Sequence, residues 1–278
     1  MSLLSAIFLG LVQGITEFLP ISSSGHLAIA QQLLNSSVGA DVPGFFDVLL
    51  HLGTLFAVFA AYWSDIKDMV VEFFGGVRDL ARRSTPTPVP PARRMILLII
   101  VATLPLFVIV PFEDKIDALS GNLYFVAFAL IATGFLLFIS DRVARGRKTE
   151  KNATLKDAIA VGIGQAIATC PGISRSGTTI TVGCLMGYER SFAVRFSFLM
   201  SIPAILGANL LSLKDAFEEG ILWGEVPMYL VGVAVAALSG YACIRLLKMI
   251  AAKGKFGAFA YYCWAVGLVT LVLTFLQH

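Results

Sequence analysis

Apolar residues run along this chain in long blocks, separated by short polar segments. Six blocks are long enough, at about 20 residues, to cross a bilayer as helices. They lie at roughly 46–63, 95–112, 122–140, 192–212, 226–247 and 257–276. Helix is the expected form for each, because lipid cannot satisfy the open edge of a sheet. Two further blocks, 3–35 and 154–188, are interrupted near the middle. The first breaks at Pro20 with Ser22, Ser23 and Ser24, the second at Pro171 with Gly172, Ser174 and Ser176. Each reads as helix, break, helix.

Composition narrows the class. Of the 278 residues 57% are hydrophobic and 14% charged. Soluble domains carry about 25% charged residues. The fold class expected is therefore an all-α polytopic membrane protein in a single membrane domain, 1–278. A net charge of +3 gives no reason to expect nucleic acid as a partner. Cys170, Cys184, Cys243 and Cys263 lie in apolar or Gly-rich runs and read as small buried fillers.

The placement of charge orients the chain. Lys and Arg concentrate in 64–94, in 141–156 (Arg142, Arg145, Arg147, Lys148, Lys151, Lys156) and in 245–255 (Arg245, Lys248, Lys253, Lys255), whereas 112–121 and 213–225 are acidic. The positive-inside rule puts the basic segments in the cytoplasm. Block 154–188 then begins and ends on the cytoplasmic side, as a re-entrant hairpin. Block 3–35, built alike, enters from outside, and both termini lie outside. Nothing basic precedes Lys67, so no cleaved secretory signal is expected, and no lipidation motif is visible. The stretch 75–91, with Gly75-Gly76 and TPTPVPP, reads as an extra cytoplasmic loop.

The two hairpins are related. A shift of 152 residues lays Gly10 on Gly162, Gln13 on Gln165, Ile15 on Ile167, Ile21 on Ile173, Ser22 on Ser174, Ser24 on Ser176 and Gly25 on Gly177. Three spans separate them, so the expected arrangement is six transmembrane helices plus two re-entrant helical hairpins as inverted repeats, roughly 1–140 and 154–278. Such repeats place their site near the midplane, where the breaks meet.

The breaks read QGITEFLPISSSGH (13–26) and PGISRSGTT (171–179). Broken helices expose backbone N–H groups at a positive dipole end, which favours anions. Ser22, Ser23, Ser24, Ser174, Ser176, Thr178 and Thr179 add donors. Arg175 is costly inside a membrane hairpin, and its planar fork suits phosphate or carboxylate; a structural ion pair with Glu17 is the alternative. Gln13 and Glu17, at i and i+4, share a helix face. A carboxylate beside an anion site calls for a hard cation between them, Mg²⁺ or Ca²⁺, with Glu17 as metal ligand; a protonated buried Glu17 is the alternative. His26 is read as catalytic because it shares a break with Glu17 and three serines. Asp47 and His51 read as supporting groups or a helix-end pair, Glu189 and Arg190 as interfacial.

The two breaks together resemble the signatures of the undecaprenyl-diphosphatase family, the BacA-type lipid pyrophosphate phosphatases of bacterial cell-wall synthesis. An (E/Q)xxxE stretch entering a Ser-rich turn and His falls on Gln13–Glu17 and His26; PGxSRSxxT falls on 171–179, its Thr on Thr179. Gln13 takes the amide option, which leaves Glu17 as the sole motif carboxylate. The likeness covers essentially the whole chain. It implies hydrolysis of undecaprenyl diphosphate, a polyprenyl diphosphate lipid, to the monophosphate and phosphate. It also implies divalent-cation dependence, a link to bacitracin resistance and an inner (plasma) membrane location with the site open to the outer face.

On that reading Arg175 and a Glu17-held cation neutralise the diphosphate. Ser23 or a water is the nucleophile, and His26 the general base or acid. Gln13, Ser22, Ser174, Ser176 and Thr179 bind substrate oxygens. Membrane lipids are the expected surroundings, and a homodimer is left open. The competing class is a polyprenyl-phosphate flippase or anion transporter on the same inverted repeats.

Overall fold

The computed structural model describes residues 1–38, 44–83, 88–142, 146–219, 223–253 and 256–276. Arg145, Lys255, part of the Pro-rich run (84–87) and part of the acidic segment (220–222) lie outside the described residues. All the regular elements described are helical: α1 (Leu3–Phe18), α2 (Ser23–Val38), α3 (Gly44–Ala61), α4 (Trp63–Ala81), α5 (Pro91–Thr103), α6 (Glu113–Asp117), α7 (Leu123–Arg142), α8 (Leu155–Ile167), α9 (Arg175–Leu185), α10 (Arg190–Glu219), α11 (Val226–Lys253) and α12 (Gly257–Leu276).

Among the described residues six stretches are long and apolar enough to cross a membrane: Gly44–Ala61, Pro91–Gly121, Leu123–Arg142, Arg190–Leu210, Trp223–Ala252 and Gly257–Leu276. They coincide with the six expected blocks. Large apolar side chains point outward along them; Leu238 is 74% exposed and Phe275 73%. Water would penalise such a surface, and lipid does not.

Two elements differ from the sequence reading. The second span is α-helical only as far as Thr103, then continues as 3₁₀ turns at Leu104–Val108 and Val110–Phe112. Pro105 and Pro111 explain this, since neither can donate to the preceding turn. The first part of the expected cytoplasmic loop at 75–91 is helix, because α4 runs through Gly75 and Gly76 to Ala81. Arg93 secures it by bonding Glu72 and Asp79 of α4.

Ion pairs mark both ends of the bundle. At one end the Met1 ammonium pairs with Glu225, whose carboxylate also accepts from the Tyr229 hydroxyl at 3.3 Å. Tyr229 stacks on Phe46 near the start of α3. At the other end Arg195 meets Asp65 and Glu150, and Arg190 meets Asp141. There Asp157 closes a capping box with Thr154 and pairs with Lys148 at 2.9 Å. Burial pushes the Asp157 carboxyl up, but the bonds from Lys148 and Thr154 outweigh it and hold it below the ordinary aspartate value.

Close contacts join the segments that flank each broken helix pair. The Lys148 N–H donates to Gly187 O at 2.9 Å and the Glu189 N–H to Lys148 O at 2.8 Å, so α8 starts beside the place where α9 has finished. For the first hairpin, α1 starts beside Glu225 and α3, which follows α2, starts beside Tyr229.

Small residues set how closely the helices approach. A Cβ on Gly10 would lie 2.5 Å from the Gly232 carbonyl oxygen of α11, and one on Gly267 of α12 would lie 2.8 Å from the Ala127 oxygen of α7. Without a hydrophobic drive between helices in lipid, such close backbone packing holds a bundle together. It seats α1 against α11 and α12 against α7.

In a background lacking the four native thiols, Lys151→Cys and Ser191→Cys are expected to label with an impermeant maleimide from one face of the membrane, and Ser120→Cys from the other. Labelling of the first two from opposite faces would mean that 154–188 crosses the bilayer and does not return.

Candidate active site

The first break forms because Pro20 cannot continue α1 and Ser22 adopts φ 73°. A left-handed conformation is uncommon for a non-glycine residue and collects at functional sites. Gly172 occupies the same region in the second break, at φ 90°, where a Cβ would meet Ala129 and Val126 of α7. Both breaks then restart a helix with the same bonds. Ser22 Oγ accepts from the Gly25 N–H at 3.3 Å, and Ser174 Oγ from the Gly177 N–H at 3.1 Å. Ser22 and Ser24 hydroxyls lie 3.4 Å apart, as do those of Ser174 and Ser176.

The breaks meet. Gly172 N–H donates to Ser24 Oγ at 3.3 Å, and Ser176 Oγ donates to Leu19 O at 3.4 Å. Arg175, the first residue of α9, ion-pairs through Nη2 with Oε1 of Glu17, near the end of α1. Thr133, in the middle of α7, ties the second break in place: its hydroxyl donates to Gly172 O at 3.1 Å and accepts from the Ser174 N–H at 3.0 Å. Since α7 spans Leu123–Arg142, this junction lies about half-way along a membrane-length helix.

Glu17 is the hub. Its Oε2 accepts from Ser23 Oγ at 2.6 Å and from Gln13 Nε2 at 3.2 Å, while Oε1 holds Arg175. Glu17 and Gln13 are buried. Two buried polar atoms beside this hub have no protein partner, Gln13 Oε1 and Arg175 Nη1. Buried orphans of this kind mark places where water, an ion or a ligand belongs. One accepts and the other is a cationic donor, so the pair suits a cation and an anion respectively.

The expected residues therefore divide. Gln13, Glu17, Ser23 and Arg175 form one connected cluster, and Ser22, Ser174 and Ser176 build the turns around it. Thr179 turns away: its hydroxyl meets Ser197 of α10 at 2.7 Å and carbonyls of its own helix. His26 does not meet Ser23. Its Nδ1 lies 2.7 Å from the Ser22 carbonyl oxygen and its Nε2 2.9 Å from the Tyr262 hydroxyl of α12. Helical side chains lean toward the N-terminus, which draws the imidazole back over Ser22, while Ser23 reaches across the break to Glu17. Asp47 accepts from Gln31 at 2.8 and 3.0 Å, which ties α3 to α2, whereas His51 bonds the Asp47 carbonyl of its own helix and stands within electrostatic reach of Glu17. Glu189 and Arg190 lie at the open end of the second hairpin, against Ser191 and Asp141. The four cysteines are free thiols, Cys170 half-buried and the others buried.

Thr133 and Tyr262 escaped the sequence reading. A hydroxyl beside Gly134 at mid-span was a usable signal for Thr133. Tyr262 gave none, since aromatics near span ends ordinarily read as interface anchors.

Comparison with known proteins gives the family. The profile of the family described as bacitracin resistance protein BacA matches residues 6–269. The chain belongs to this family. Its relatives include proteins named undecaprenyl-diphosphatase from Halothermothrix orenii (40% identical, covering 98% of each chain), Methanobrevibacter smithii (41%, 98% of each) and Syntrophotalea carbinolica (42%, 96% of this chain and 97% of the relative). With the six apolar stretches, membership makes the chain a multi-pass membrane protein. The relatives' names give no support to the transporter reading.

Thr133→Val removes both bonds to the second break at nearly constant volume. It is expected to lower stability in detergent by about 1–3 kcal/mol, the cost of leaving buried partners unpaired, and to reduce activity by loosening Arg175. An unchanged thermal midpoint would mean that Gly172 and Ser174 find other partners.

Proposed function

We propose that this chain is an integral membrane phosphatase that hydrolyses undecaprenyl diphosphate to undecaprenyl phosphate and inorganic phosphate, the reaction named for its relatives. Regenerating the carrier lipid of cell-wall synthesis links this activity to the family's bacitracin resistance. One observation carries the reading at the site: a serine hydroxyl bonded to a carboxylate that is itself paired with a half-satisfied guanidinium.

In this reading the terminal phosphate docks on Arg175 Nη1 and on the N-termini of α2 and α9. Ser23 Oγ attacks the terminal phosphorus and passes its proton to Glu17. The bond from that phosphorus to the bridging oxygen breaks, and the lipid monophosphate departs. Water then hydrolyses the phosphoserine, with His26 as its base, and releases phosphate. Phosphoryl transfer rests mostly on positioning and charge stabilisation, which the Arg175 fork and two helix dipoles would supply.

A divalent cation fits the donors available. Glu17, the unpartnered Gln13 Oε1 and Ser23 Oγ are hard oxygen ligands suited to Mg²⁺ or Ca²⁺. Among the described residues no group of three His, Cys, Asp or Glu stands together, so these three oxygens would hold only part of its shell. When bound, it would neutralise diphosphate charge.

The basic ends of the helices support an inner-membrane orientation in which 141–156 and 245–255 face the cytoplasm and the acidic end faces out. The hydrogen bonds shared by the two breaks support reading 1–140 and 154–278 as inverted repeats around a site open to the outer face. Homodimerisation is left to solution measurement.

Arg175→Lys keeps the charge but loses the fork, and is expected to lower kcat/KM at least about a hundredfold. Phosphate release from a C55 diphosphate measures it, and near wild-type turnover would make Arg175 structural. Ser23→Ala should abolish turnover while substrate still binds, and rapid-quench mass spectrometry of the wild type should find phosphate on Ser23. Substantial activity in Ser23→Ala would transfer the nucleophile's role to water.

A further inference from the structure

Tyr262 touches the site from a helix that contributes nothing to either signature. Its hydroxyl lies 2.9 Å from His26 Nε2, and the two rings are nearly parallel, 7° apart with centroids at 5.6 Å. The other ring nitrogen, Nδ1, lies 2.7 Å from the Ser22 carbonyl oxygen. A carbonyl only accepts, so Nδ1 carries a proton. In the neutral ring Nε2 is then a lone pair, and the Tyr262 hydroxyl donates to it. This is the less populated tautomer of free histidine, and two partners impose it. One is the carbonyl of Ser22, fixed by its left-handed backbone. The other is the phenol.

The helix bearing the phenol is itself anchored. The neighbouring Cys263 thiol packs 4.0 Å from the Pro20 carbonyl in the same break. Trp264 Nε1 donates to Ile131 O of α7 at 3.2 Å. Tyr262 itself is exposed on α12, so its ring can turn aside without unpacking the core.

We propose that Tyr262 is a positioning residue for His26. It holds the imidazole with Nδ1 protonated and the Nε2 lone pair presented, so that a water replacing the phenol meets a base already oriented. This rests on the reading above that His26 serves hydrolysis. The second break offers no such arrangement, because Thr178 stands at the position that the 152-residue shift gives to His26.

Two measurements on Tyr262→Phe test this, since the variant keeps the ring and loses only the hydroxyl. Ring ¹⁵N spectra of the histidine-labelled protein, with His26 assigned by its loss in His26→Ala, should show protonated Nδ1 and hydrogen-bonded Nε2 in the wild type and a shift toward mixed tautomers in Tyr262→Phe. Turnover of a C55 diphosphate should fall in kcat by about ten- to a hundredfold with KM unchanged, as expected of a misoriented base. Tyr261→Phe, the adjacent phenol that packs on Trp264, should alter neither. Unchanged ring signals, an unchanged kcat or an effect confined to KM would each overturn the proposal. Full activity in His26→Ala would instead overturn the reading of the site. That case is told apart because the ring signal of Tyr262→Phe would still change.

Discussion

A helix broken inside a bilayer leaves N–H and C=O groups that no water can satisfy, and the whole molecule is arranged around two such breaks. Neither could stand alone. The Gly172 N–H is met by a hydroxyl from the first break, and the Leu19 carbonyl by one from the second. Serine caps close both new helix starts. The same junction makes a buried glutamate and a half-buried arginine tolerable: each alone would be a largely desolvated charge, whereas together they form a hydrogen-bonded pair with little net charge. Polar chemistry at mid-span is thus a product of satisfying the backbone.

Holding the breaks at contact is the task of the long helices. α1 can approach α11 closely only because Gly10 faces Gly232, and α12 can approach α7 because Gly267 faces the Ala127 carbonyl. Thr133 then fixes the second break to the middle of α7, and Cys263 packs the first against α12. A shift of one helix by a residue would separate Arg175 from Glu17. The small residues of the spans therefore govern the electrostatics of the site at one remove.

The block pattern of hydrophobicity made the spans legible, and Pro and Ser clusters made the breaks legible, because both depend on local chemistry. The second span was legible in extent but not in form, since Pro105 and Pro111 turn its later part into 3₁₀ helix. The end of α4, from Gly75 to Ala81, was read as loop because the glycines at 75 and 76 carry a local signal that the Arg93 bonds to Glu72 and Asp79 overrule. At the site, the residue types were readable and their pairings were not. Ser23 and His26, three apart in sequence, suggested a nucleophile and its base, yet one side chain reaches across the break and the other leans back. Tyr262, 236 positions from His26, meets it only through tertiary packing, of which a single sequence holds no trace.

The likeness between the two hairpins is selective, and the selection has a physical reason. Positions that hold the backbone are the same in both: Ser22 and Ser174, Ser24 and Ser176, Gly25 and Gly177. Positions that carry chemistry differ: Glu17 falls on Thr169, Ser23 on Arg175 and His26 on Thr178. Two identical breaks would bring glutamate to face glutamate, or arginine to face arginine, at the centre of a low-dielectric region. Like charges there repel strongly. An ion pair across such a junction requires that one half supply the anion and the other the cation. The Ser23 hydroxyl stands with the carboxylate, bonded to it, and the guanidinium stands opposite, where a phosphate would need it. Two breaks of like sequence could be set against each other, but only divergence between them could charge them oppositely.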